Sequence, residues 1–289
     1  MPPDSHMSPF IKAVIEKQKE KDRNIVHVRG GKYRNAYTVE KDILYQHSPY
    51  LGEACERYSE GLECATIEFL KTNDNTFKLF RDWLYKQELG SAYEEIAEWK
   101  AEKAKNSKGA DLDNKSNERP LIGFDESKGN DDLMKNSNSK GKMILETKNG
   151  DLDDRSNVAL TNFCYPHMTA LLDLYLFADM ARVPALKNQC IKKYYEFTKA
   201  TGYITTSWLS YMWKYTTKNM LIHKFLLDLL TWEMPPSLTE TNSKDFPEEL
   251  RLELLVNMGY VIQIARHGSS GLENSNPLRD LSNYYEKID

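Results

Sequence analysis

The chain has 289 residues, of which 40% are apolar and 11% aromatic, enough to fill one large or two modest cores. Its formal net charge of -4 leaves no basic excess of the kind that binds nucleic acid or an anionic membrane, and we expect neither as a partner. The sequence lacks an apolar run of about 18 residues and the pattern of a secretory signal, which predicts a protein of the cytosol or nucleus that is not secreted.

The first predicted element is an amphipathic helix within residues 1–23. Ser8-Pro9 is a typical helix start, and the apolar residues that follow it recur at helical spacing on one face. This apolar stripe could lie on its own domain or pack against a second copy of the chain, because a short terminal helix frays unless something covers it. The stripe consists of Phe10, Ile11, Val14 and Ile15.

Residues 24–55 predict a two-stranded hairpin followed by two helices that meet at a corner. Two short runs of β-forming side chains flank a Gly-Gly pair, and a helical period then begins near Lys41. Ser48-Pro49 interrupts this period, with Ser48 as the expected N-cap of the second helix and proline at its first position. The residues that set the two helical periods are Ile43, Leu44, His47, Tyr50 and Leu51.

A third strand and another amphipathic helix come next. Residues 65–70 alternate β-branched and aromatic side chains, which is typical of a strand. Asn75 can then cap a helix with a wide apolar face, and residues 92–105 favour a charged helix beyond it. The order up to this point is strand, strand, helix, helix, strand and helix.

Residues 100–160 differ in composition, since they consist mainly of Lys, Asn, Asp, Ser and Gly. With so few apolar side chains to bury, this segment is predicted to be a disordered insertion. Three imperfect repeats begin at Ser107, Ser127 and Lys148, which indicates tandem duplication. A solenoid or a calcium loop is the alternative, but the repeats lack both a leucine ladder and the acidic spacing of an EF-hand.

The rest of the chain is predicted to be helical. Residues 161–200 favour a helical hairpin with its turn before Pro184, because proline ends one helix and starts the next. Residues 201–268 contain further helices, the last of which runs from Pro247 to His267. Residues 269–289 are polar, and we expect them to form a flexible tail.

Residues that could support catalysis or bind a metal are scattered along the chain. Four cysteines occur without a C-x-x-C pair, and in a reducing compartment they are expected to be buried thiols. A zinc set of Cys164, His167 and Cys190 would lack the two close ligand pairs of a structural site. No nucleophile elbow, phosphate-binding glycine loop or H-E-x-x-H motif is present. The sequence therefore predicts no enzymatic activity, no cofactor and no metal.

Three sequence blocks follow one another in an order that is typical of a known family. The pattern L-x-x-x-S-x-Y lies at residues 44–50, W-L-Y at residues 83–85, and L-Y-x-F-A-D-x-x-x-V-P-A-L at residues 174–186. In this order the blocks resemble the BTB/POZ domain, particularly that of the short BTB proteins common in fungi. The resemblance covers about residues 10–90 and 167–200, while Asn24 and Glu40 stand where the family commonly has Asp and His.

This resemblance implies an α+β, BTB/POZ-like fold: a small, mostly three-stranded sheet packed by helical hairpins, here with a C-terminal helical extension and a long disordered insertion. It also implies a non-enzymatic protein-interaction module that forms a homodimer and recruits or scaffolds other proteins. The implied dimer interface consists of Phe10, Ile11, Val14, Ile15, Ile43, Leu44 and His47, and the implied partner surface consists of Tyr50, Leu51, Lys71 and Asn73.

Two other functions are compatible with the sequence. Some relatives are substrate adaptors that bind a cullin-type ubiquitin ligase through the corner and the loop before the W-L-Y helix. In this chain that loop, residues 70–74, lacks the hydrophobic-x-Glu element of cullin-binding relatives. The remaining alternative is an enzyme or small-ligand binder that uses the C-terminal helices. Neither the partners nor the role of the repeats can be identified from the sequence.

Overall fold

The computed structural model describes residues 24–30, 35–59, 65–69, 74–110, 154–267 and 272–288 of the chain. This part of the chain is mostly helical with one small sheet, which confirms the predicted combination of a small sheet with many helices. Three predicted features lie outside the described residues: the N-terminal helix with its apolar stripe, the loop that contains Lys71 and Asn73, and most of the repeat-containing insertion.

The sheet has the strand order β2-β1-β3. Strand β1 (Ile25–Gly30) pairs antiparallel with β2 (Asn35–Glu40) and parallel with β3 (Ala65–Phe69). Opposite residues pair as Val26 with Val39 and Val28 with Tyr37, and all four side chains are buried. Because side chains alternate between the faces of a strand, this register turns one face of the hairpin toward the helices.

The helices that the structure describes follow the predicted order. They are α1 (Lys41–His47), α2 (Pro49–Ser59), α3 (Asp74–Lys86), α4 (Ala92–Ala110), α5 (Asp154–Met180), α6 (Pro184–Thr201), α7 (Leu209–Tyr215), α8 (Leu221–Glu233), α9 (Pro236–Thr241) and α10 (Glu248–His267). Short 3-10 segments occupy Ser243–Asp245, Leu272–Ser275, Pro277–Arg279 and Leu281–Tyr284.

Aromatic side chains join the sheet to the helices. Phe77 of α3 contacts Tyr37 of β2, with 4.8 Å between ring centroids, and Phe80 of α3 contacts Phe177 of α5 at 4.7 Å. Trp83 stacks on Phe80 one turn further along. These rings form the centre of a core that continues into the α5–α6 hairpin, where Pro184 begins α6 as the sequence predicts.

The two helices that border the insertion are longer than the sequence analysis expects. Helix α4 continues to Ala110 and α5 begins at Asp154, so both reach into the segment predicted to be disordered from 100 to 160. The residues of α4 are mostly Ala, Glu and Lys, which favour helix, and Trp99 of α4 stacks on Phe163 of α5 at 4.9 Å. The predicted boundaries are therefore corrected at both ends.

The C-terminal tail also differs from the expectation. Residues 272–288 return along the molecule, and Leu278 and Tyr284 are fully buried within this segment. The Tyr284 hydroxyl donates a 2.8 Å hydrogen bond to Asp228 of α8, and the backbone at Glu286 both donates to and accepts from the Asn188 side chain of α6. Two well-placed apolar anchors thus hold a segment that its polar composition predicts to be flexible.

Candidate interaction site

The candidate site is the corner between α1 and α2, which is built around the buried Ser48. The Ser48 hydroxyl donates a 2.7 Å hydrogen bond to the carbonyl of Ala181 and accepts one of 3.2 Å from the amide of Leu51. The second bond is that of an N-cap, as the Ser-Pro pair predicts. The first joins the corner to the turn between α5 and α6, which is more than 130 residues away along the chain.

The hairpin turn gives this corner part of its outer surface. Arg182 has a φ of 55°, an unusual backbone conformation for a residue with a side chain, and it lies between the buried residues Ala181 and Val183. Its guanidinium lies 5.2 Å from the centre of the Tyr50 ring. Tyr50 is half-buried, so the predicted partner surface includes a tyrosine that is already partly covered by an arginine.

Two predicted contact residues belong to the core instead. Leu44 is assigned by the sequence to the dimer interface and Leu51 to the partner surface, but they are only 1% and 2% exposed. Both belong to the central hydrophobic cluster, because the inward faces of α1 and α2 pack over the helices below. This corrects their predicted role: they support the corner from inside and have almost no surface to offer a partner.

Ile43 and His47 remain at the edge of the corner, where both are half-buried. The His47 ring meets Trp83 edge-on, with 5.8 Å between the ring centroids. Burial lowers the pKa of His47 below its usual range, so the ring is neutral at pH 7. A neutral ring beside an isoleucine can be covered by apolar groups at little electrostatic cost.

Asn24 and Glu40, where the chain departs from the family pattern, connect the sheet to the corner. The side-chain amide of Asn24 donates a 2.9 Å hydrogen bond to the Asp42 carboxylate. The backbone carbonyl of Asn24 accepts a 2.8 Å hydrogen bond from the backbone amide of Lys41. The backbone amide of Glu40 donates to the hydroxyl of Tyr85, the last residue of the W-L-Y block. Asn24 thus holds the start of α1 through both its side chain and its backbone.

A feature that the sequence analysis does not find is a pair of buried lysines on α6. Lys187 binds the carboxylates of Asp179 and Glu286, and Lys193 binds the carboxylate of Glu95 and the carbonyl of Leu89. A buried ammonium is costly unless it is paired, which accounts for these bonds. The bonding partners of both lysines come from other elements, so the sequence of α6 alone does not identify these two as paired, buried lysines.

A partly open, mostly apolar cavity of about 280 Å³ lies between α3 and the α5–α6 hairpin. Lys78, His167, Lys193 and Phe197 are among its lining residues. The His167 ring nitrogen Nδ1 is 2.7 Å from the carbonyl of Phe163, and the Lys193 ammonium is held by Glu95. The His167 and Lys193 side chains are thus bonded within the protein itself.

The described cysteines are buried and free, as the sequence predicts. Burial raises the pKa of the Cys55 and Cys164 thiols to about 11, so both are protonated and weakly nucleophilic at neutral pH. Within the described ranges, His, Cys, Asp and Glu side chains do not gather in groups of three that could hold a metal ion. Cys164, His167 and Cys190 are therefore not brought together as a zinc site.

Comparisons with protein families, with characterised proteins and with solved structures find no match for this chain. Among the helices of the described part, none has the length and apolar character needed to cross a membrane. The exposed charged residues at the corner include Asp42 and Arg182, so both signs of charge are present. The corner joins two parts of the chain that are distant in sequence, and half-buried apolar and aromatic side chains border it.

Proposed function

We propose that this chain is a non-enzymatic protein-interaction module of the BTB/POZ type, which forms a homodimer and recruits other proteins. The main support is the hydrogen bond between Ser48 and Ala181, because it brings the L-x-x-x-S-x-Y block and the V-P-A-L hairpin into contact. Two of the three blocks that carry the resemblance thus form one structural unit, and the third supplies Trp83 beneath it.

The proposed dimer surface begins at the outer edge of α1. Ile43 and His47 present partly exposed apolar surface there, and His47 is neutral at pH 7. The N-terminal apolar stripe supplies the complementary surface in this proposal. Burial of such a stripe against a second copy follows from the hydrophobic effect, since each buried large side chain contributes roughly 1.5–3 kcal/mol.

The test is the mass of the full-length protein, measured by light scattering at tens of micromolar. We expect a dimer or a larger assembly, and we expect Ile11→Asp/Val14→Asp to weaken association because two carboxylates would enter an apolar interface. Lys12→Asp, which adds the same charge on the polar face of the predicted helix, is the control and should leave the mass unchanged. A monomeric wild-type protein contradicts this proposal.

Recruitment is tested separately by an affinity pull-down with the full-length chain. The expected result is recovery of one or more proteins that are lost with Tyr50→Ala/Arg182→Ala but retained with Tyr93→Ala, a change at an exposed tyrosine outside the corner. Recovery of a cullin among them would identify the chain as an adaptor of a cullin-type ligase. Equal recovery with all three proteins would argue against the corner as the partner surface.

A further inference from the structure

The last long helix, α10, carries large apolar side chains on every side. Leu250 and Leu254 are buried, in the part of α10 that packs on α8. From Leu255 onward most of the helix surface is exposed: Leu255, Tyr260 and Ile262 are 70%, 61% and 50% exposed, while Val261 is half-buried on the side of Leu250 and Leu254. The 3-10 segment Leu272–Ser275 also contacts α10. A soluble helix normally has a polar outer face, so one that is apolar all round indicates a surface that something covers.

The direction of α10 is fixed by a polar cluster at its base. The Glu253 carboxylate accepts hydrogen bonds from the Trp213 indole at 3.2 Å and the His223 ring at 2.9 Å, and it forms a 2.7 Å ion pair with Lys218. Glu253 lies in the second turn, next to the buried Leu254. The exposed part of α10 is therefore presented in a defined orientation by α7 and α8.

The face of α10 opposite the two buried leucines has the spacing of a helix–helix seam. Leu252, Leu255, Gly259 and Ile262 are three, four and three residues apart, and Val256 lies beside them. Nothing lies within 4 Å of where a Gly259 side chain would begin, so the middle of this seam is open to close approach by another helix. We call these five residues the α10 seam.

The charges at the two ends of α10 are opposite. Glu248 and Glu249 lie in the first turn, and Arg266 and His267 in the last. In an antiparallel pair of α10 helices, each acidic end would lie beside the basic end of the other copy. In a parallel pair, like charges would face each other at both ends, which is unfavourable.

We propose that the α10 seam binds the α10 seam of a second copy of this chain in an antiparallel arrangement centred near Asn257. With that centre, Leu252 lies opposite Ile262 of the other copy, and Leu255 lies over the open space at its Gly259. Glu248 then lies beside the other copy's Arg266. The interface is self-complementary, as a two-fold dimer contact must be.

This interface is separate from the corner dimer of the proposed function. The two use different helices, so a chain that has both could assemble beyond a dimer. If α1 and the N-terminal stripe form one dimer, pairs of α10 helices would link these dimers. Avidity would then strengthen a seam that is only eleven residues long, from Leu252 to Ile262. The α10 contact does not depend on whether the corner dimer forms.

The first test is sedimentation of the full-length chain across a range of concentrations. Leu255→Asp/Ile262→Asp should weaken one association step at least about 30-fold, because both substitutions place carboxylates within the apolar seam. Both residues are exposed, so the fold should be retained, as circular dichroism will show. Val158→Asp is the matched control, since Val158 is 60% exposed on α5, and it should have no effect.

The second test addresses the antiparallel arrangement. Glu248→Lys alone and Arg266→Glu alone should each weaken association roughly 2- to 5-fold, because each puts like charges side by side. The double variant should restore the wild-type value at low ionic strength, since the charges then pair in reverse. In a parallel arrangement each single change would only replace one like-charge pair by another. An association constant that is unchanged in all three variants therefore overturns the antiparallel proposal.

The outcomes separate this inference from the corner dimer. If Leu255→Asp/Ile262→Asp leaves all association unchanged, the α10 seam is not a self-interface, whatever happens at the corner. If only Ile11→Asp/Val14→Asp weakens association, the corner dimer stands alone, and another segment or protein covers α10. If only the α10 variant acts, the seam stands and the proposed corner dimer fails.

Discussion

Ser48 shows how one small residue can join two distant parts of the chain. Its side chain caps α2 and reaches the carbonyl of Ala181, and it does both while fully buried. A buried polar group stabilises a fold only when it is paired, and each partner loses its bond if the hydroxyl is removed. The serine of the L-x-x-x-S-x-Y block therefore has a structural role in this chain, independent of any partner.

We expect Ser48→Ala to lower the free energy of unfolding by about 1–3 kcal/mol, because it removes a helix cap and leaves the Ala181 carbonyl without that donor. Urea denaturation monitored by circular dichroism measures this loss. The control is Ser91→Ala, since Ser91 accepts a local bond from the amide of Tyr93 at the exposed start of α4. The control should cost about 0.5–1 kcal/mol, and equal losses in the two variants would show that the link to Ala181 contributes nothing.

Residue roles at the corner could be predicted only in part. The Ser-Pro pair correctly indicates the cap and the helix start, because both signals are local. The orientation of Leu44 and Leu51 is not local: helical spacing places residues on a face, but only tertiary packing decides whether that face meets the core or a partner. The two buried lysines of α6 escape prediction for the same reason, since their carboxylate partners come from distant segments.

At the scale of elements, a polar cluster around the Glu253 carboxylate joins α10 to α7 and α8, and its strength depends on pH. Burial opposes ionisation of the Glu253 carboxylate, but the hydrogen bonds from Lys218, His223 and Trp213 outweigh it and hold its pKa below the usual value. A carboxyl whose pKa is lower in the folded state stabilises the protein above its unfolded pKa. This stabilisation is lost as the pH falls through the folded value.

We expect Glu253→Gln to lower the free energy of unfolding by about 1–3 kcal/mol at pH 7, through loss of charged hydrogen bonds. The difference from wild type should shrink as the pH falls below about 4.5, the ordinary value for glutamate. Urea titrations at several pH values, carried out at low protein concentration, measure this difference in the free energy of unfolding. Glu240→Gln, at an exposed position of α9, should follow wild type at every pH, and a Glu253→Gln difference that is constant with pH would contradict the mechanism.

The elements themselves were predicted best where the sequence signal is periodic. The order of strands and helices and the proline start of α6 follow from spacing and turn residues. The ends of the insertion do not follow in this way, because composition alone shows neither the full length of the two flanking helices nor the contact between Trp99 and Phe163. Helical spacing likewise predicts α10 but does not show how much of its surface is exposed.

At the scale of the whole molecule, the end of the chain joins the hairpin to the C-terminal helices. Tyr284 packs edge-on against Phe225 of α8, with 5.5 Å between ring centroids, and Glu286 binds the buried Lys187 of α6. The segment thus bridges α6 and α8, so it stabilises the packing of the α5–α6 hairpin against the C-terminal helices. Its polar sequence predicts flexibility because two anchor residues in seventeen do not produce a periodic signal.

We expect Tyr284→Ala to lower the free energy of unfolding by about 3–5 kcal/mol, the usual cost of deleting a buried aromatic ring. Tyr284→Phe keeps the ring but removes the donor to Asp228, and it should cost about 1–2 kcal/mol. Urea denaturation separates these values. Ile288→Ala, at a position 64% exposed in the same segment, should cost less than about 0.5 kcal/mol.

The same variants determine whether the tail is a fixed part of the fold. In Tyr284→Ala, amide hydrogens between residues 276 and 286 should exchange at rates close to those of an unfolded chain, while wild type and Ile288→Ala should protect them. Protection is expected because amides of this segment, including those of Leu278 and Ser282, are hydrogen-bonded. If wild type and Tyr284→Ala exchange equally fast, the tail is flexible as its composition predicts, and the bridge between α6 and α8 does not hold in solution.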